Sequence, residues 1–244
     1  MFTVDINCDM GEGAGNDEMI MPFISSASIA CGYHAGDEKT MRTTANLCMD
    51  YNVAIGAHPS FNDRANFGRT EMHITAEQAF RLVTEQLELL SRIVKHAKLH
   101  HVKPHGALYN MAATDSSLAE AIAKAVKNFD ESLILYGLSG SYSISEARKA
   151  GLKTASEVFA DRRYKDDGML TSRKQQDALI ENTDEAVTQV LQMIRLQTVT
   201  TKMGNQVPVI AETICIHGDG KNAVAFAGSI HKALKKELIE IKAI

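Results

Sequence analysis

Seven ionisable side chains fall just beyond, or at the end of, short segments with strand character. Asp9 and Glu12 follow Thr3–Cys8, His34 follows Ser28–Cys31, His58 follows Val53–Ala57, His105 follows His101–Lys103, Asp161 follows Thr154–Phe159, and His217 ends Thr213–Ile216. Carboxylates and imidazoles are the groups that move protons near neutral pH and that ligate divalent cations. Four of the nine histidines stand beside glycine or proline, in CGYHAG, GAHPS, KPHGAL and IHGDG. Glycine there lets a loop turn tightly or approach a ligand, so these read as built turns. A single such histidine would read as structural; the recurrence at four strand ends points to a site. His73, His96, His100, His101 and His231 fall in helices or surface loops and need no function.

The elements that position these groups alternate along the chain. Strand-like runs, with one more at Leu133–Tyr136, are separated by helical patterns at Glu38–Tyr51, Thr75–His96, Ser116–Asn128, Thr183–Gln197 and Lys221–Lys236. That βαβα rhythm predicts a parallel sheet with crossover helices, and the tail at Glu237–Ile241 could add an eighth strand. Thr75 with Gln78 makes a capping box; Asp115 or Thr114 and Asn182 or Thr183 are candidate N-caps. Two long loops, His58–Ile74 and Ala160–Arg173, belong at the carboxyl ends of strands, where such loops carry function. In a β/α barrel those ends converge on one rim. No linker or repeat divides the chain, so residues 1–244 are expected to form a single barrel domain.

Composition narrows the function. A 45% hydrophobic and 23% charged chain of 244 residues is ordinary for a globular protein. A net charge of -4 without a basic cluster argues against nucleic acid. With neither a leader pattern nor a long apolar run, the protein is expected in the cytoplasm and off the membrane. Cys8, Cys31, Cys48 and Cys215 form no CxxC pair and read as reduced and mostly buried. Three motifs fail. GEGAG has Asn16 where a dinucleotide fingerprint needs glycine, and GDGKN has Cys215 and Asn222 where a P-loop needs glycine and Ser/Thr. GLSGS lacks the nucleophile-elbow spacing, leaving Ser139 as a helix N-cap.

Taken in order, VDINCDMGE, SIACGYHAGD, AIGAHPSF, NFGR, VKPHGALYN, EVFADRRY and CIHGD resemble the LamB/YcsF family from residue 4 to about 219, with conservative departures at Tyr33 and Arg163. The resemblance implies an irregular, seven-stranded TIM-like α/β barrel similar to polysaccharide deacetylases. It also implies an activity, the ATP-coupled opening of 5-oxoproline to glutamate, with ADP and phosphate as the other products. The partners implied are two further components of a 5-oxoprolinase, its B and C subunits. ATP would be a co-substrate of the complex, handled wholly or partly by those partners, which fits the lack of a P-loop motif.

Opening a lactam with water needs a base, an oxyanion stabiliser and an acid for the leaving nitrogen. Asp9 or Glu12 would be the base, with His34, His58, His105 and Asp161 completing the catalytic set. His34 and His58 would orient water or, with Asp9, hold a divalent metal, the set used by deacetylases of similar fold. Lys103, His105 and Arg162 would stabilise negative charge or bind the substrate carboxylate, and Arg69, Tyr109 and His217 would complete the substrate side. Two rival readings are a stand-alone metal-dependent deacetylase or amidase, and a noncatalytic subunit that retains a barrel.

Overall fold

The computed structural model describes residues 2–218, 220 and 223–244. Its strands are β1 (Thr3–Met10), β2 (Ser26–Ala30), β3 (Ala54–His58), β4 (Leu99–Val102), β5 (Ile134–Leu138), β6 (Lys153–Phe159), a short hairpin of β7 (Thr198–Thr200) and β8 (Gln206–Pro208), β9 (Thr213–His217) and β10 (Glu240–Ile241). Seven of them pair in parallel in the order β1-β2-β3-β4-β5-β6-β9. Pairing of β9 back on β1, from Asp5 with Thr213 to Asp9 with His217, closes the barrel. The chain tail does supply an eighth parallel strand, but β10 pairs only with Thr3 and Val4 at the start of β1 and is no stave of the barrel.

The helices are α1 (Asp17–Ile20), α2 (Glu38–Asp50), α3 (Ala76–Ile93), α4 (Gly106–Thr114), α5 (Ser116–Phe129), α6 (Tyr142–Lys149), α7 (Thr183–Leu196) and α8 (Ala223–Lys236). Helix α3 starts at the expected capping box: Gln78 N donates to Thr75 Oγ1 at 3.2 Å and Thr75 N to Gln78 Oε1 at 2.8 Å. Its three- and four-residue spacing buries Ala79, Val83, Leu87 and Leu90 against the barrel, where each leucine contributes about 1.5–3 kcal/mol. Asp115 caps α5 and Asn182 caps α7. Among the described residues no helix is long and apolar enough to cross a membrane.

Several expectations need correction. Helices α1, α4 and α6 add to the expected set; each is short and lacks the long apolar period that would announce it. The expected start of α8 at Lys221 lies outside the described residues. Ser139 is not a helix cap; its Oγ accepts from Ile210 N at 2.8 Å, and Ser141 stands at the start of α6. All four cysteines are free and buried.

His101 lies in no surface loop. It is fully buried inside the barrel, stacked on Tyr136 with centroids 4.1 Å apart and with Nε2 3.1 Å from Ser28 Oγ. Gly56 makes room for it, since a Cβ there would lie 2.1 Å from His101 Nε2. Alternation along the strands turns Ile6, Cys8, Ile29 and Ile214 out to the helices and leaves a polar interior. At its bottom Asp5 accepts from Ser25 Oγ and Thr213 Oγ1, each at 2.6 Å, and from Ser26 Oγ. Burial pushes the Asp5 carboxyl up, although these hydroxyls oppose the shift.

Candidate active site

β1 continues to Met10, so Asp9 is a strand residue, and a left-handed turn at Gly11 (φ +71°) leads to Glu12. His34 is buried in the loop after β2, and His58 is the last residue of β3. Lys103 and His105 follow β4, with His105 at the N-cap position of α4. Gly106 (φ +58°) starts that helix so close to the neighbouring loop that a Cβ would sit 2.4 Å from Gly68 O. Only glycine fits there, and the approach sets His105 Nε2 2.9 Å from Phe67 O.

Three imidazoles converge on Glu12 Oε1: His34 Nε2 at 3.0 Å, His105 Nδ1 at 3.6 Å and His58 Nε2 at 3.9 Å. The far side of each ring fixes its tautomer. His58 Nδ1 donates to Lys103 O at 2.6 Å and His105 Nε2 donates to Phe67 O. Ser60 Oγ spends its proton on Phe61 O, so it accepts from His34 Nδ1 at 2.9 Å. All three rings therefore turn their other nitrogen inward, toward a carboxylate oxygen. Burial, then His58, pushes His34 down to about 3, and burial with His58 and His34 holds His105 well below the usual histidine range. Protonation of His34 or His105 thus does not supply positive charge here. A divalent cation would: three imidazoles and one carboxylate, with ligand atoms all within 4.8 Å of one another, suit a four-coordinate ion of the zinc type.

Beneath this cluster lies a buried ion line. Lys103 Nζ is 2.5 Å from Asp9 Oδ1 and 3.0 Å from Glu157 Oε1, and it donates to Asn7 Oδ1 at 2.7 Å. The Asp9 contact is an ion pair and not an aligned hydrogen bond, for Oδ1 receives no donor along its lone pair. Asp9 Oδ2 is 3.4 Å from His58 Nε2. Burial alone would raise the Asp9 carboxyl, but His58 and Lys103 outweigh it and hold Asp9 well below the usual carboxylate range. Asp9, Cys215 and His217 also approach one another within 4.8 Å. A second cation there is disfavoured by the Lys103 ammonium, whose Nζ is 3.3 Å from Cys215 Sγ.

On the far side of Asp9, His217 Nδ1 contacts both oxygens of Asp161 at 2.9 and 2.7 Å and its ring stacks on Phe159. The cleft above holds about 750 Å3 and is lined by Asp9, His58, Lys103, His105, Tyr109, Arg69, Arg162 and His217. Glu12, His34 and Asp161 stand behind that wall and reach it through their partners.

The chain matches the LamB/YcsF family over residues 4–244. It belongs to that family. LamB/YcsF relatives similar to it include the 5-oxoprolinase A subunit of Shouchella clausii, 53% identical over 100% of this chain and 99% of the relative. Another is the 5-oxoprolinase A subunit of Staphylococcus saprophyticus, 51% identical over 98% and 97%. Among solved structures, the lactam utilization protein of Thermus thermophilus superposes with a TM-score of 0.92 at 40% identity, covering 100% of both chains. A family 4 carbohydrate esterase from Streptomyces lividans shares the fold, with a TM-score of 0.54 at 11% identity over 100% of this chain and 93% of the esterase. The seven-stranded barrel of the LamB/YcsF chain is thus a TIM-like barrel whose fold the esterase shares.

Sequence reading placed the strand-end residues on one rim but did not find Glu157, Asn7 or Ser60. A signal for Glu157 existed: a carboxylate within the otherwise buried strand β6, at an inward position. Ser60 carried none, since its importance lies in the acceptor it offers His34.

Proposed function

We propose that this chain is the A subunit of an ATP-dependent 5-oxoprolinase, a cytoplasmic single-domain protein that performs the hydrolytic step and works with B and C partners. The observation that carries the hydrolytic role is the convergence of three inward imidazole nitrogens on Glu12, beside an Asp9 carboxylate held ionised by His58 and Lys103. The substrate assignment rests on relatives at about half identity that are named as the A subunit of 5-oxoprolinase.

With Glu12 committed to the histidines, Asp9 is the base. It takes a proton from water as the water oxygen bonds to the lactam carbonyl carbon and the carbonyl pair moves onto oxygen. Collapse re-forms the carbonyl and breaks the C–N bond, and the proton that Asp9 took from water passes to the leaving nitrogen by way of His217, which Asp161 orients. Glu12, His34, His58 and His105 would hold a divalent cation, whose Lewis acidity makes even a weak base such as Asp9 sufficient. Arg69 and Tyr109 line the cleft where the substrate carboxylate would lie.

The test is reconstitution with B and C on 5-oxoproline and ATP, following glutamate and ADP together. The three-subunit mixture should form both, whereas the chain alone should form neither. Robust ATP-dependent hydrolysis by the isolated chain would overturn the division of labour. Deacetylation of N-acyl substrates without ATP would favour the stand-alone amidase instead.

A further inference from the structure

The cleft above Asp9 is larger and more cationic than a lactam requires. At about 750 Å3 it matches pockets for drug-sized ligands, whereas 5-oxoproline is a five-membered ring with one carboxylate. Its described wall carries Arg69, Lys103, Arg162, Lys165, Arg173 and Lys174 against Asp9 and Glu71. Lys103 is matched by Asp9 and Glu157, and Lys165 by Asp167 at 2.9 Å. The cationic excess therefore centres on the segment after β6.

That segment is folded to hold its cations. Thr171 N donates to Arg163 O and Lys165 N to Met169 O, both at 2.8 Å, while Arg162 Nη2 donates to Thr171 O at 2.6 Å. Arg162 is only 4% exposed, and both its Nε and Thr171 Oγ1 are buried without a partner. A buried donor of a charged group left unmatched is costly unless a ligand completes it. Burial first, and then Arg173, pushes the Arg162 guanidinium down to about 10, with the Asp161 carboxylate opposing the shift. A phosphoryl group, with its extra charge and its fork-matching oxygens, suits two guanidiniums and a hydroxyl better than a single carboxylate does.

We infer that Arg162, Thr171 and Arg173 form a phosphoryl-binding subsite, so that the cleft accepts a phosphorylated ligand whose reacting end lies at Asp9 and His58. The inference rests on the ATP-coupled reading for the origin of that group. It arrives either on the lactam oxygen, phosphorylated by the partners, or on ATP itself.

Calorimetric titration of the isolated full chain tests this without relying on turnover. Inorganic phosphate should bind with 1:1 stoichiometry, and Arg173→Ala, at a half-buried loop position, should weaken it by about tenfold or more while leaving 5-oxoproline binding unchanged. Lys174→Ala serves as a second, more exposed probe with a smaller loss. Simultaneous binding of 5-oxoproline and phosphate identifies the phosphorylated lactam as the source. ATP binding at least tenfold tighter than phosphate, and exclusive with 5-oxoproline, identifies the nucleotide. Either result supports the subsite. Absence of phosphate and ATP binding at millimolar concentrations, or an Arg173→Ala protein that binds both as the unmodified chain does, overturns it. So does a variant that loses only its affinity for the B and C subunits, which would make the wall a protein interface. Failure of the functional reading would show differently, as an unmodified three-subunit complex that does not open 5-oxoproline.

Discussion

His58 Nε2 and His105 Nδ1 lie 2.9 Å apart although the other nitrogen of each ring already faces a backbone carbonyl. Two lone pairs at that distance repel unless a proton or a metal ion lies between or beside them, and Glu12 Oε1 adds a third electron-rich atom that a metal ion would bind. The cluster is therefore expected to purify with about one equivalent of a zinc-type ion. Elemental analysis checks this, and His58→Ala or His105→Ala should abolish retention. Ser60→Ala removes the acceptor that orients His34 and should weaken the metal by about 10–100-fold. Metal-free protein with full complex activity would sink the idea.

Replacement of Asp9 by Asn keeps size and removes the base. Its carboxylate is held ionised by His58 and Lys103 against the cost of burial. Asp9→Asn should fold and assemble with its partners yet lower turnover of the complex by ~10²-fold or more, the low end for loss of a general base. Near-normal turnover in an assembled variant would pass that role elsewhere.

Lys103→Met should fail mainly in folding. It strands Asp9 and Glu157 together in the barrel interior with no cation between them, and removal of one partner from a buried ion group costs about 3–5 kcal/mol. Urea denaturation should show that loss. Adding Glu157→Gln to it should restore part of the stability by removing one of the stranded charges; no recovery in the double variant would contradict the ion line.

The Asp161–His217 pair predicts a pH signature. Burial raises the Asp161 carboxyl, but the charge and hydrogen bond of His217 outweigh it, so the folded value lies below the usual one. An acid lowered on folding adds stability above its unfolded pKa of about 4 and loses it as pH falls through the folded value. Asp161→Asn should thus lower the melting temperature at pH 7 and converge with the unmodified chain in strong acid. In the assembled complex, Asp161→Asn and His217→Gln should each reduce turnover and the double variant should fall little further. Additive losses would separate the two residues.

Gly56→Ala tests the polar interior. The added methyl meets the buried His101 ring at 2.1 Å, and stacking on Tyr136 leaves that ring little room to retreat. A loss of about 1–3 kcal/mol or more is expected, measured as a shift of the denaturation midpoint.

The barrel and much of its rim were legible in the residues as written. Alternating strand and helix patterns, the Thr75–Gln78 capping box and glycine or proline beside four histidines are local features, and local features are what a sequence displays. Closure was not local: β1 meets β9 across more than 200 positions, bringing Asp9 against His217, and no periodicity encodes that neighbour. Closure also settled that Glu12 meets all three of His34, His58 and His105 while Asp9 lies between His58 and Lys103, and that Glu157 reaches Lys103. The short helix α4 stayed hidden because its position depends on Gly106 packing against Gly68, a contact between loops. Most of all, folding in three dimensions chose which nitrogen of each imidazole faces inward, because that choice is made by acceptors at Ser60, Phe67 and Lys103, whose positions exist only once the barrel has closed.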